Sequence, residues 1–217
     1  MIQDLLWRCP LCAADDALRH EAKFLHPERV CCTACGADWR VRRIVGDNYY
    51  LKLVQPGGNP HACPPGTEYS ITAWYDLMKK TVCLAPQPAS AGVLDEAESL
   101  YLASGPAMGW AEPDEPASPP SQGTDRKLGE GRLFLTDRRL LWHPADGSLA
   151  GEPLSFRLSQ VDGIHGIVNL GLLLVVGRRL FRFRFAGESP LKWITYAALL
   201  APVVQAQCGH KIRTSHY

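Results

Sequence analysis

The sequence is poor in long apolar runs, in net charge and in catalytic signatures, and each shortage excludes something. Of its 217 residues, the best apolar stretches, 170–176 and 194–204, are brief and broken by Gly, Thr or Pro. A bilayer-spanning helix needs roughly 20 consecutive apolar residues, so none is expected. Near the N-terminus, Asp4, Arg8 and Cys9 stand where a signal peptide would carry its apolar core. The expectation is a cytoplasmic chain, in a compartment that keeps thiols reduced. The formal charge of +1 is no field for phosphate binding by the chain as a whole. No serine elbow, phosphate loop or metal-hydrolase pattern accompanies His143, His165, Asp137, Asp146 and Asp162, the groups from which a general-base pair could be assembled. The chain is therefore read as not an enzyme.

What is present is cysteine in a pattern. Cys9-Pro10-Leu11-Cys12 and Cys32-Thr33-Ala34-Cys35 are two C-x-x-C turns with nineteen residues between them. Each such turn points two thiolates to one side of a tight loop, and two facing loops supply the closed tetrahedral sulfur cage of a structural Zn2+. A redox pair and unconnected thiols are the competing readings. A redox C-x-x-C normally stands alone beside a strand–helix unit, whereas this one is doubled around strand and turn sequence. Gly36 supports the second knuckle, because the residue after the second thiolate often needs positive φ; the first knuckle has Ala13 there. Cys31 could replace Cys32 in a C-x3-C turn, but Cys32 restores the two-residue spacing and is favoured. Cys63, Cys83 and Cys208 stand alone and default to partly buried free thiols. Four sulfurs leave no position for water, so the metal would be a staple and not a catalyst.

Residues 5–53 resemble the zinc ribbon family, through Trp7-Arg8 leading into the first knuckle and Asp38-Trp39-Arg40-Val41 leaving the second as a strand. A third strand fits 48–54, where Tyr49, Leu51 and Leu53 share one face. About fifty residues bury too little apolar surface to be secure alone, so the metal would supply much of the folding free energy. Zinc ribbons often serve nucleic-acid machinery, but residues 1–55 carry 8 Lys+Arg against 7 Asp+Glu. Arg40, Arg42 and Arg43 read as a solvated strand face, and nucleic acid is not the expected partner.

Residues 56–93 read as a connecting segment. It opens on the turn-rich Pro56-Gly57-Gly58-Asn59-Pro60 and contains one short helix, 70–82, with Ser70 as its cap and Ile71, Trp74, Tyr75, Met78 and Val82 at spacings of three and four. Its aromatic face either docks on a neighbouring domain or meets a membrane interface. Farther on, Pro and acidic residues crowd 111–127 into a solvated loop.

From 94 the chain shows short strands and one final helix. Hairpins are expected across Asp137-Arg138 and across Gly177-Arg178-Arg179; Phe181, Phe183 and Phe185 alternate with Arg182 and Arg184, requiring one dry and one wet face. Ser189 and Pro190 start a helix, and Pro202 should stop or kink it after about three turns. Seven short strands and a capping helix resemble the pleckstrin-homology superfold. The run Gly131-x-Leu133-x-Leu135-Thr136-Asp137-x-Arg139-Leu140-Leu141-Trp142 is most similar to its GRAM branch. The expected fold is thus mainly β with few helices: a small three-stranded zinc ribbon at 1–55, then a PH-like seven-stranded open barrel at 94–217 capped by a C-terminal helix. The resemblance implies a binding or scaffolding module, hence an adaptor with a protein partner and peripheral contact with anionic membrane. Residues 128–217 carry 11 Lys+Arg against 6 Asp+Glu, which would assist such contact. Arg138, Arg139, Arg178 and Arg179, at the two hairpin tips, are the expected ligand-binding residues.

Overall fold

The computed structural model describes residues 2–22, 27–43, 49–58, 63–88, 94–95, 97–112, 126–145, 152–167, 171–208 and 213–216. The chain divides into two compact units, Met1–Cys83 and Leu84–Tyr217.

The first unit comprises α1 (Ile2–Leu5), β1 (Leu18–Glu21), β2 (Arg29–Cys32), β3 (Asp38–Arg43), β4 (Tyr49–Gln55), β5 (Glu68–Ser70) and α2 (Ile71–Thr81). Its strands form one antiparallel sheet in the order β1-β2-β3-β4-β5. The sheet therefore has five strands where three were expected: β1 and β5 are edge pieces of four and three residues, too short for a period-two signal. Alternation settles which face is dry. Val30, Trp39, Val41, Leu51 and Leu53 are buried, while Arg29, Arg40, Arg42 and Lys52 point to solvent.

The helix expected in the connecting segment belongs to this unit. Ser70 caps α2, its hydroxyl accepting from the Ala73 amide at 3.1 Å. Trp74 and Met78 are fully buried. The Trp74 ring stands edge-on to Trp39 at 4.8 Å between centroids, and its indole N–H donates to the Arg8 carbonyl at 3.2 Å. Arg8 in turn donates to the Thr81 carbonyl at 3.0 Å, satisfying one end-of-helix acceptor. Trp74 is thus a core residue, which overturns its reading as a membrane anchor; Tyr75 lies half-buried with the Lys79 ammonium 4.7 Å over its ring.

The second unit contains β6 (Leu100–Ala103), β7 (Ala107–Ala111), β8 (Arg126–Thr136), β9 (Arg139–Pro144), β10 (Leu154–Arg157), β11 (Val161–Ile167), β12 (Gly171–Val176), β13 (Arg179–Phe185), α3 (Pro190–Cys208) and β14 (Arg213–His216). The sheet order is β10-β9-β8-β7-β13-β12-β11-β14, with β6 also on β8. Since β6 and β7 pair with successive stretches of β8, they are two halves of one strand broken at 104–106. Counted so, the seven antiparallel strands run 4-3-2-1-7-6-5 before the helix, the PH-like open barrel that the sequence resembles. The second half of the broken strand was not foreseen, and most of the Pro-rich 111–127 segment, 113–125, lies outside the described residues.

Inside the curl, Trp142 and Phe183 pack at 5.2 Å, and Phe185 stacks on Trp193 of α3 at 5.2 Å. A side chain at Gly166 would collide with Ile194, so this glycine is what lets the helix close on β11. Ser189 caps α3, accepting the Leu191 amide at 3.2 Å, with Pro190 in the first turn. The helix does not end near Pro202; it runs 19 residues to Cys208. Proline removes one intrahelical hydrogen bond but its fixed φ is helical, so a helix held by tertiary packing continues through it.

Candidate functional site

The two knuckles are built alike from backbone hydrogen bonds. In the first, Cys9 N donates to Ala14 O at 3.0 Å and Ala13 N to Cys9 O at 2.9 Å; in the second, Cys32 N donates to Ala37 O at 2.8 Å and Gly36 N to Cys32 O at 2.9 Å. The turn demands positive φ after the second thiolate, and Gly36 supplies it at +75°. Ala13 adopts the same conformation at φ +57° without glycine's freedom, a strain of about 1–2 kcal/mol.

These turns bring the Sγ atoms of Cys9, Cys12, Cys32 and Cys35 within 4.8 Å of one another. Cys9 and Cys35 sulfurs lie 3.8 Å apart, Cys12 and Cys32 3.7 Å. No disulfide has that separation. A tetrahedron with Zn–S of about 2.3 Å has edges of about 3.8 Å, so the four thiols fit a Zn2+ ion. Cys31 is resolved by alternation along β2: it points to the opposite face, its thiol 3.8 Å from the Arg19 carbonyl, outside the cluster. Cys63 is buried with its sulfur 3.3 Å from the Tyr69 hydroxyl, Cys83 is exposed, and the Cys208 side chain lies outside the described residues.

Electrostatics differ around the cage. Burial pushes the Cys9 thiol well above its ordinary 9.0 and raises Cys35 too. For Cys12 the little burial it has works upward but is outweighed by the Ala14 amide and neighbouring thiols, leaving it lowered. A cation in the cage would reverse this penalty, because it favours thiolate. One supporting residue escaped the sequence reading. Gly57 at φ +70° lies against the second knuckle, where a Cβ would stand 2.5 Å from the Cys35 carbonyl, and Gly58 N donates to that same carbonyl at 3.0 Å. A Gly-Gly pair reads as a turn in sequence; that it abuts a candidate metal ligand is tertiary information.

The four tip arginines are not one site. β8 runs from Arg126, paired with Ala111, to Thr136, paired with Leu100. The Gly177-Arg178 turn leads into β13, whose Phe181 also pairs with Ala111, placing it at the Arg126 end. The Asp137-Arg138 turn follows Thr136, at the other end. Ten residue steps of strand amount to about 30 Å. Arg139, moreover, is committed: its guanidinium lies 2.7 Å from the Glu98 carboxylate, itself only 2% exposed, and 3.2 Å from Asp95. Thr136 closes this turn by accepting the Arg138 and Arg139 amides at 3.1 and 2.9 Å. Arg138, Arg178 and Arg179 are exposed, with the Arg179 guanidinium 5.1 Å over Phe181.

At the Arg126 end the barrel opens into a cavity of about 580 Å³. Leu128, Phe156 and Phe181 give it apolar walls, and Arg126, Arg179, Glu152 and Ser155 give it polar ones. Of the histidines and carboxylates considered for acid–base work, Asp137 lies in the turn before β9, His143 in β9, and Asp162 and His165 in β11. Asp137 accepts the Ser99 amide at 3.0 Å, Asp162 accepts the Gly177 amide at 2.6 Å, His143 Nδ1 lies 3.1 Å from the Pro144 carbonyl, and Asp146 is outside the described residues.

No protein-family model and no curated protein matches the sequence. Solved structures do. The chain is similar to the Vps36 N-terminal PH domain, at 15% identity over 55% of this chain and 93% of that one, with a TM-score of 0.38. It is similar also to the hSac2 domain from human phosphoinositide phosphatase Sac2, at 12% identity over 57% of this chain and 80% of that one, with a TM-score of 0.34.

Proposed function

We propose that this chain is a non-catalytic adaptor: a ribbon stapled by structural zinc, joined to a PH-like barrel whose open mouth engages the anionic headgroup of a membrane lipid, with a protein partner on the ribbon and its helix. The observation that carries the lipid reading is the mouth itself, where Arg126 and Arg179 stand over apolar walls in a cavity of about 580 Å³. Cations above an apolar floor suit a headgroup with its first methylenes, and each well-placed basic residue adds about 1 kcal/mol near an anionic surface. Arg178 adjoins the mouth in the same turn, whereas Arg138 is at the far end and Arg139 is neutralised by Glu98. Contact of this kind is peripheral, and among the described residues no helix is long and apolar enough to cross a membrane. The test is co-sedimentation with neutral and with anionic vesicles. Arg126→Ala/Arg179→Ala should abolish the anionic preference while Arg138→Ala leaves it unchanged; equal losses from both variants would sink the mouth as the site.

A second reading, polyanion contact by the ribbon, draws on one observation. Arg29, Arg40 and Lys52 are directly opposed on three adjacent strands; Arg29 is already engaged by Glu21 and Asp38 and Lys52 stands opposite Glu68, but Arg40 faces a cation on each side, an arrangement that an anion would relieve. Arg40→Glu/Lys52→Glu should then end salt-dependent retention of the chain on heparin; retention unchanged by it would remove this reading.

A further inference from the structure

Across the outer face of the first unit's sheet runs one row of directly opposed residues, Glu21, Arg29, Arg40, Lys52 and Glu68, one from each of β1 to β5. Its charges do not cancel in place. Glu21 holds Arg29 at 2.9 Å, with Asp38 3.6 Å from the same guanidinium, and Glu68 holds Arg42 at 2.8 Å. The acids at both ends of the row are therefore engaged. Arg40 and Lys52, the two cations at its centre, are exposed and have no ion-pair partner among the described residues. Directly opposed residues have Cβ atoms about 5 Å apart, so a single carboxylate reaches both head groups and turns a repulsive pair into a favourable one.

Apolar side chains flank this pair. Leu51 and Leu53 of β4 are buried, so Tyr50, Lys52 and Val54 succeed one another on the outer face. Val54 is 51% exposed and Tyr50 half-buried. Each stands about 7 Å from Lys52 along the strand. One exposed valine would call for no explanation; here it completes a line of apolar, cationic and apolar side chains, centred on the charges that the sheet leaves unmatched. The acids of the row bear on what fits there. A continuous polyphosphate crossing the face meets Glu21 or Glu68 at its edges, whereas one carboxylate between two apolar groups stays within the central patch.

We infer that this patch docks an extended segment of a partner protein in which an aspartate or glutamate stands between two apolar residues at alternate positions. Arg40 and Lys52 share its carboxylate, and its apolar side chains cover Tyr50 and Val54. Alternate side chains of an extended chain point to one side at the same spacing of about 7 Å, so all three contacts are in register at once. The inference rests on the reading that the ribbon carries the protein partner and names the chemistry this partner presents; the lipid-binding mouth plays no part in it. A side-chain contact of this size is of the weak, transient kind.

The probe is a fluorescent heptapeptide of serines with leucine, aspartate and leucine at its second, fourth and sixth places, and its control has asparagine for the aspartate. In anisotropy titrations at low salt, the full zinc-loaded chain should bind the aspartate peptide about 5-fold more tightly than the control. Arg40→Gln/Lys52→Gln should erase that difference, while Val54→Ser should weaken both peptides roughly 3-fold and preserve it. The three side chains are exposed, so near-ultraviolet circular dichroism should be the same in all the variants. Preferential binding that the double variant leaves intact puts the partner elsewhere on the ribbon: the inference then fails and the protein-partner reading stands. Equal binding of the two peptides by the intact chain, or none of either, overturns the inference outright, and heparin retention that Arg40→Gln/Lys52→Gln abolishes would then identify a polyanion as the occupant.

Discussion

At the residue scale, two neighbouring cysteines separate the metal reading from a general thiol effect. Cys32 points into the sulfur cluster and Cys31 to the other face of β2. Cys32→Ser should abolish stoichiometric zinc binding, whereas Cys31→Ser should leave the stoichiometry at one ion per chain, as read by metal release to a chromogenic chelator. Equal losses would mean that the cage is not where the ion sits. The arginines of the Asp137 turn give a second contrast. Arg139→Ala leaves Glu98, 2% exposed, as a buried carboxylate without its cation, a change of about 3 kcal/mol or more; Arg138→Ala, on an exposed side chain, should fall within about 0.5 kcal/mol. Urea unfolding of both variants checks this, and glutamine at position 98 should restore most of the loss in the Arg139→Ala background. These residues also show what sequence spacing can carry. The candidate ligands were legible because two pairs of cysteines, each with two residues between them, have one good geometry. The role of Arg139 was not, because its partner is 41 positions away, and nothing local distinguishes a paired arginine from a free one.

At the element scale, period-two alternation revealed the hairpins, since burial on one face forces it: Phe181 and Phe183 are buried where Arg184 is exposed. The same signal was too brief for β1, β5 and β7, which are three to five residues long. In α3 the balance runs the other way: the local helix-stopping tendency of Pro202 loses to the packing of Trp193, Ile194, Ala197 and Leu200, all buried. For α2 the apolar spacing was right and its destination is the five-stranded sheet of the first unit. That destination predicts a large asymmetry along one helix. Trp74→Ala removes a fully buried ring that touches Trp39 and Tyr69, at a cost of about 3–5 kcal/mol. Tyr75→Ala, one residue on and half-buried, should cost roughly 1 kcal/mol. Denaturant unfolding of the zinc-loaded chain, followed by near-ultraviolet circular dichroism, distinguishes them; comparable shifts would mean that α2 presents the wrong face.

At the scale of the whole molecule, the two units draw on different sources of stability. The second has an extensive apolar interior of its own, with Leu133, Leu135, Trp142, Phe183, Trp193 and Ile194 all nearly inaccessible. The first has three buried tryptophans, Trp7, Trp39 and Trp74, and a cluster of four thiols that could hold a metal ion. This gives pH dependences of opposite sign. With zinc bound, the ligands are thiolates, so protons compete with the ion and stability falls as pH is lowered. Without zinc, burial holds the Cys9 thiol above its ordinary 9.0. Above pH 9.0 the folded first unit then keeps a proton that the unfolded chain has shed. The native state binds more protons there, so stability, fully present below 9.0, declines as pH rises towards the raised value. The lowered Cys12 opposes this, but its displacement is the smaller of the two. The indole N–H resonances of Trp39 and Trp74, followed in urea between about pH 6 and 10.5 with zinc and with chelator, should therefore show slopes of opposite sign, while those of Trp142 and Trp193 respond to neither. Slopes of the same sign in the two conditions, or loss of the Trp142 and Trp193 resonances on chelation, would mean that the metal does not hold the first unit in the way the sulfur geometry requires.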